Sequence, residues 1–153
     1  MIRRAVPADA APLAMLLRAL NDEPGLRTDL ITAEPVMQDL IDDPRALVLV
    51  AVPEQAVMGF ATAHPTYDSG TSQWGFFFND LFVACDFRRR GIARALVAAT
   101  AAQARRDGGA FLWWNADEGD TLALSFHRSL EAGVRVIDFT LAGAAFAKLA
   151  DAA

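Results

Sequence analysis

The chain has 153 residues, enough for one domain with one substantial core, and its 54% apolar and 22% charged residues exclude a disordered polymer. With 19 acidic against 14 basic residues the net charge is −5, which argues against nucleic acid as a partner, because phosphate neutralisation needs a broad basic face. No apolar run is long enough to span a bilayer, no apolar leader stretch follows Met1, and the lone Cys85 and the two histidines, His64 and His127, offer neither a disulfide nor a metal-ligand set. The expectation is a single cytoplasmic domain over residues 1–153, without metal and without a membrane partner.

Residues 2–6 read as a first strand, and Pro7, Ala8 and Asp9 open a helix in which Leu13, Leu16, Leu17 and Leu20 recur at spacings of three and four. A polar loop over residues 21–29 leads to a second helix at 33–41, stopped by Asp42, Asp43 and Pro44. Strands at 46–52 and 57–63 flank a turn at Pro53, Glu54 and Gln55, and a loop at 65–71 precedes a long strand at 74–84, rich in aromatic and β-branched residues. A helix at 92–106, a short strand at 110–114, a helix at 121–130 capped by Asp120, a strand at 134–141 and a helix at 144–150 complete the series. Hairpin-linked strands interleaved with helices predict an α+β fold with a mixed, mostly antiparallel sheet.

The chemistry concentrates where the strand ending Leu81, Phe82, Val83 runs through Arg88, Arg89, Arg90 and Gly91 into the helix of Ile92, Ala93 and Arg94. First-turn amides of a helix have no intrahelical acceptor, and the helix dipole puts partial positive charge at that end, so an anion is favoured there. Gly91 and Ala93 leave room for a phosphate to approach the main chain, and four arginines in seven residues form a basic island on an acidic protein. The P-loop ending Gly-Lys-Ser/Thr and the Gly-x-Gly-x-x-Gly fingerprint are both missing. The stretch therefore reads as a pyrophosphate cradle of another kind.

Arg88-x-x-Gly91-x-Ala93 after a strand resembles the acetyl-coenzyme A signature, Arg/Gln-x-x-Gly-x-Gly/Ala, of the GNAT N-acetyltransferase superfamily. The run Thr66, Tyr67, Asp68, Ser69 and the later Asn79, Asp80 are similar to its spermidine/spermine (diamine) acetyltransferase-like branch. So are Asp120, Ala123, Phe126 and His127, set against Asn-x-x-Ala-x-x-Phe-Tyr. The resemblance implies a sheet whose two central strands splay into a V for the pantetheine arm, a homodimer, and acetyl-coenzyme A as donor to a small primary amine. It implies cofactor contacts at Leu81, Phe82, Val83, Arg88, Arg89, Arg90, Gly91, Ile92, Ala93, Arg94, Asp120 and Phe126. Asp22, Glu23, Tyr67 and Asp68, with Asp29 in the same polar loop as Asp22 and Glu23, are the implied contacts to a cationic substrate.

Freeing the lone pair of an amine with pKa about 10.4 costs about 4–5 kcal/mol at pH 7, so a base matters. Where the branch has a glutamate before the strand aspartate, this chain has Asn79, an amide that takes no proton. Asp80 is retained, but in a regular strand it faces away from Asn79, and a β-bulge is needed to bring both to one site. His64 and Asp68 are further candidates for the base. His127 stands where the branch has a tyrosine and is the expected proton donor to the departing thiolate. These replacements leave a second reading, a weakly catalytic acyl-coenzyme A-binding or regulatory domain of the same fold.

Overall fold

The computed structural model describes residues 1–53, 56–131 and 133–152. The chain divides into two compact units, Met1–Trp114 and Asn115–Ala153.

In the first unit β1 (Ile2–Arg4), β2 (Leu47–Ala51), β3 (Gly59–Asp68), β4 (Gln73–Val83) and β5 (Leu112–Trp113) form one sheet in the order β1-β2-β3-β4-β5. The first four strands are antiparallel neighbours and β5 lies parallel to β4. On one face, α1 (Ala10–Leu20) and α2 (Ala33–Val36, continued by a π-helical turn to Ile41) pack Leu13, Leu17 and Val36 against Val48, Val50 and Phe60. On the other, α3 (Ile92–Arg106) packs Leu96 and Ala104 against Leu47, Leu49, Ala61, Ala63, Phe76 and Phe78. All five residues of β2 are buried because both faces are covered, which is why this strand reads as a continuous apolar run.

Two elements differ from those the sequence suggests, and a third lies partly outside the described residues. The loop foreseen at 65–71 is largely strand, since β3 runs on through Pro65 to Asp68; β2 ends opposite Ala63, so the missing N–H of Pro65 falls beyond the last β2 partner and interrupts no ladder there. The turn foreseen at Pro53, Glu54 and Gln55 includes residues 54 and 55, which lie outside the described residues. In the second unit α4 (Thr121–Arg128) and α5 (Gly143–Ala150) form as expected, and Asp120 caps α4 by accepting from the Ala123 N–H at 2.9 Å. The strand expected at 134–141 is absent from the described structure: Val134, Ile137 and Phe139 are exposed, and no described strand pairs with the segment. Apolar alternation marks a segment suited to a sheet, but a strand exists only where an edge accepts its hydrogen bonds.

No helix among the described residues is long and apolar enough to cross a membrane.

Candidate active site

The ladder between β4 and β5 is short. Ala110 N–H donates to Trp74 C=O at 2.8 Å and Phe76 N–H to Phe111 C=O at 3.0 Å; the pairs Phe76–Leu112 and Phe77–Trp113 then end the pairing. From Phe78 to Val83, β4 continues with no strand beside it on that edge among the described residues. This is the splayed V. Strand alternation turns the main-chain groups of Phe78 toward the open edge, as it turns those of Trp74 and Phe76 toward β5. Trp113 is exposed and meets Phe77 edge-on, whereas Trp114 is partly buried against Phe78, so the two tryptophans divide between surface and core.

Beyond the gap the chain makes a single 3-10 turn, Cys85–Phe87, with Cys85 exposed. Arg88 Nε donates to Val83 C=O at 2.9 Å, and the Arg88 guanidinium lies 5.6 Å from the centre of the Phe82 ring. Arg90 donates to Asp86 C=O at 3.0 Å and sits 4.9 Å from the Phe87 ring. Two of the four arginines thus brace the loop through carbonyls and aromatic faces. Arg89 has φ 61° and Gly91, the N-cap of α3, has φ 77°, so left-handed residues alternate along the loop. Such alternation turns successive amides into a concavity for an anion. A Cβ at Gly91 would meet nothing within 4 Å, so the space above it is open, and Ile92 and Ala93 follow with the first-turn amides. The required residue type at Gly91 has a second cause besides clearance: its left-handed backbone strains any residue with a Cβ. A pyrophosphate fits this cradle. Of the strand residues named for the cofactor, Leu81 and Val83 pack toward α3 and Phe82 toward α1.

Next to the gap the β-bulge needed by the site is present. Thr62 pairs with Asp80 and Ala63 with Phe78, so Asn79 is an extra residue between them. Its insertion puts Asn79 and Asp80 together with Thr62 and His64, on the face that carries α1 and α2. The Thr62 hydroxyl donates to Asp80 Oδ2, and His64 Nδ1 lies 2.9 Å from Asn79 Oδ1. Burial raises the Asp80 pKa, opposed by the Thr62 hydrogen bond and by the charge of His64. Thr62, only 1% exposed, is the member that sequence reading missed; its position two residues before His64 on the same strand face was the available signal.

The other named residues take separate places. Tyr67 projects to the opposite sheet face from His64 by strand alternation, 5.3 Å from the Trp74 ring. Asp68 accepts from Gly70 N–H at 2.9 Å and Thr71 Oγ1 at 2.7 Å, bonds that close the β3–β4 turn and lower its pKa. Asp22 and Glu23 are exposed in the loop after α1, and Asp29 there is paired with Arg27. In the second unit His127 is half-buried on α4 beside Phe126, at 5.3 Å between rings; burial lowers its pKa and Asp120 opposes the shift. Its imidazolium is therefore scarcer at neutral pH than that of a free histidine, and a proton-donor role for it would be strongest in mildly acidic solution.

With the cradle, the open V and the bulge in place, comparison with known proteins is decisive. The sequence profile of the Acetyltransferase (GNAT) family matches residues 14–131. The chain belongs to the GNAT acetyltransferase family. It is an acetyl-coenzyme A-dependent N-acetyltransferase. Among relatives, the uncharacterised N-acetyltransferase YhfO of Bacillus subtilis is 28% identical over 107 residues, 70% of this chain and 72% of that protein. The L-ornithine N5-acetyltransferase NATA1 of Arabidopsis thaliana is 28% identical over 108 residues, which are 71% of this chain but only 44% of the plant protein. The crystal structure of the aminoglycoside acetyltransferase meta-AAC0020, from an uncultured soil metagenomic sample and in complex with sisomicin, superposes with a TM-score of 0.77. That pair shares 25% identity over 92% of this chain and 93% of the other.

Proposed function

We propose that this GNAT enzyme transfers the acetyl group to a small aliphatic primary amine that carries positive charge, polyamine-like or of the aminoglycoside or amino-acid type, by direct attack. One observation carries the reading: the bulge at Asn79 gathers Asn79, Asp80, Thr62 and His64 on one sheet face where β4 and β5 part. Carboxylate, amide and imidazole beside that gap suit an ammonium acceptor, as does the net charge of −5. Two of the relatives, an ornithine and an aminoglycoside acetyltransferase, are named for cationic amine substrates.

In this proposal the cradle of Arg88–Ala93 holds the pyrophosphate of the donor. The main chain of Phe78 lies along the pantetheine and offers an N–H to the developing oxyanion. The acidic loop with Asp22 and Glu23 meets the acceptor. One domain spanning 1–153 is part of the proposal, supported by a family match that continues past Trp114. So are a cytoplasmic location and a homodimer, the latter supported by the exposed Val134, Val136, Ile137, Phe139 and Leu141. Calorimetric titration with acetyl-coenzyme A, followed by thiol release across polyamines, amino acids and aminoglycosides, tests the reading. Saturable binding and turnover confined to cationic amines are expected; turnover only with neutral or anionic acceptors overturns it.

A further inference from the structure

We propose that His64 is the general base of the acetyl transfer and that Asn79 is the positioning residue that fixes its tautomer; the inference rests on the amine-acceptor reading above. The argument starts from what an amide oxygen can do. Asn79 Oδ1 lies 2.9 Å from His64 Nδ1 and can only accept, so Nδ1 carries the hydrogen and Nε2 keeps its lone pair. The contact lies at the surface, with Asn79 exposed and His64 half-buried, and Nε2 is the ring nitrogen that the contact leaves unused.

Position follows from register. His64 pairs with Phe77, and Phe77 pairs on its other side with Trp113, so His64 belongs to the last row of the sheet before β4 and β5 separate. The bulge sets Asn79 one step further along, on the same face. Neither of the other candidates for the base is as available. Asp80 is largely buried with Oδ2 taken by the Thr62 hydroxyl, and both oxygens of Asp68 are committed to the turn at Gly70 and Thr71. Asp80 and Asp43 both lie within electrostatic reach of His64.

The proton balance is complete. The ammonium nitrogen gives one proton to Nε2, and its freed lone pair forms the N–C bond to the acetyl carbonyl carbon. The C–S bond then breaks with its electron pair on sulfur. The nitrogen's second proton goes to the thiolate, leaving a neutral amide and a thiol, and the proton on His64 passes to solvent. An amide replaces the branch's glutamate without loss of the base, because the proton is held by the residue across the bulge.

The test uses the full chain with a cationic amine that it turns over. His64→Gln, which preserves bulk, and His64→Ala are expected to lose about a hundredfold or more in kcat with unchanged acetyl-coenzyme A affinity, and added imidazole should restore part of the His64→Ala rate. Asn79→Ala should lose about tenfold in kcat, whereas Asn79→Asp, which keeps an acceptor and adds a carboxylate, should not fall below the parent rate. A readout independent of turnover is the ¹⁵N spectrum of the His64 ring: hydrogen on Nδ1 in the parent, moving to Nε2 in Asn79→Ala. Full kcat in both His64 variants, a loss that imidazole does not rescue, or hydrogen on Nε2 in the parent overturns the base. A parent that binds acetyl-coenzyme A and acetylates no cationic amine instead overturns the acceptor reading, and the base with it.

Discussion

The two ends of the site are built from different materials. At the entrance of α3 the proposed donor contacts are main chain, and the arginines Arg88 and Arg90 hold that main chain in shape. At the bulge it is carried by side chains from two strands, brought together by one extra residue in β4. A backbone site leaves a local trace in sequence, because it dictates where a side chain must be missing. A side-chain site assembled across strands leaves none until the register is known.

The largest expected effect breaks the backbone end. Gly91→Val places a β-branched residue at φ 77° and fills the space above the cradle; strain and occlusion together should weaken acetyl-coenzyme A binding by about 3 kcal/mol, over a hundredfold. Far-UV circular dichroism should show the helices intact, and equal affinity by calorimetry would mean that the donor binds elsewhere. Thr62→Val probes the side-chain end. It removes the donor to a buried carboxylate and should cost about 2 kcal/mol of stability in urea unfolding at pH 7.5. The sign with pH is fixed by Asp80: its folded pKa lies above its unfolded value, so stability is fullest below the unfolded pKa and falls as pH rises through the folded one. Because the Thr62 hydroxyl opposes that rise, Thr62→Val should steepen the fall, and a variant with the parent's pH slope would count against the hydrogen bond.

Asn79→Glu sharpens the comparison, since it alters the side-chain end alone. A carboxylate beside His64 should raise turnover of a cationic amine several-fold near neutral pH, with the gain shrinking at high pH where more amine is already neutral. Acetyl-coenzyme A affinity should not change; a tighter donor complex would show that the two ends are not separable. The smallest effect is that of Arg88→Gln, which loses the bond to Val83 C=O and the contact with Phe82 and should weaken donor binding by about 1 kcal/mol. Calorimetry of the variant reads it directly, and a loss as large as that of Gly91→Val would mean that Arg88 contacts the donor itself.

Sequence legibility follows the same division. Gly91 and the helix beginning at Ile92 were readable because helix entry, alanine content and a lone glycine are local properties, and α3 has the bounds expected of it. The bulge was foreseeable only as a need, since Asn79 and Asp80 had to share a face. His64 and Asn79 are 15 positions apart, so their bond depends on a register that no short window contains. Residues 134–141 failed in the opposite way: their pattern is strand-like, but pattern alone does not supply an edge to pair with.

The bulge has one more consequence. Because Asn79 is extra to the ladder, Phe78 still faces α3 and Asp80 still faces Thr62, as they would in a strand one residue shorter. Position 79 is thereby uncoupled from the core. Mutation can exchange carboxylate, amide or hydroxyl there without repacking either layer of helices, so the fold leaves room for trial and error beside the proposed base at little cost to stability.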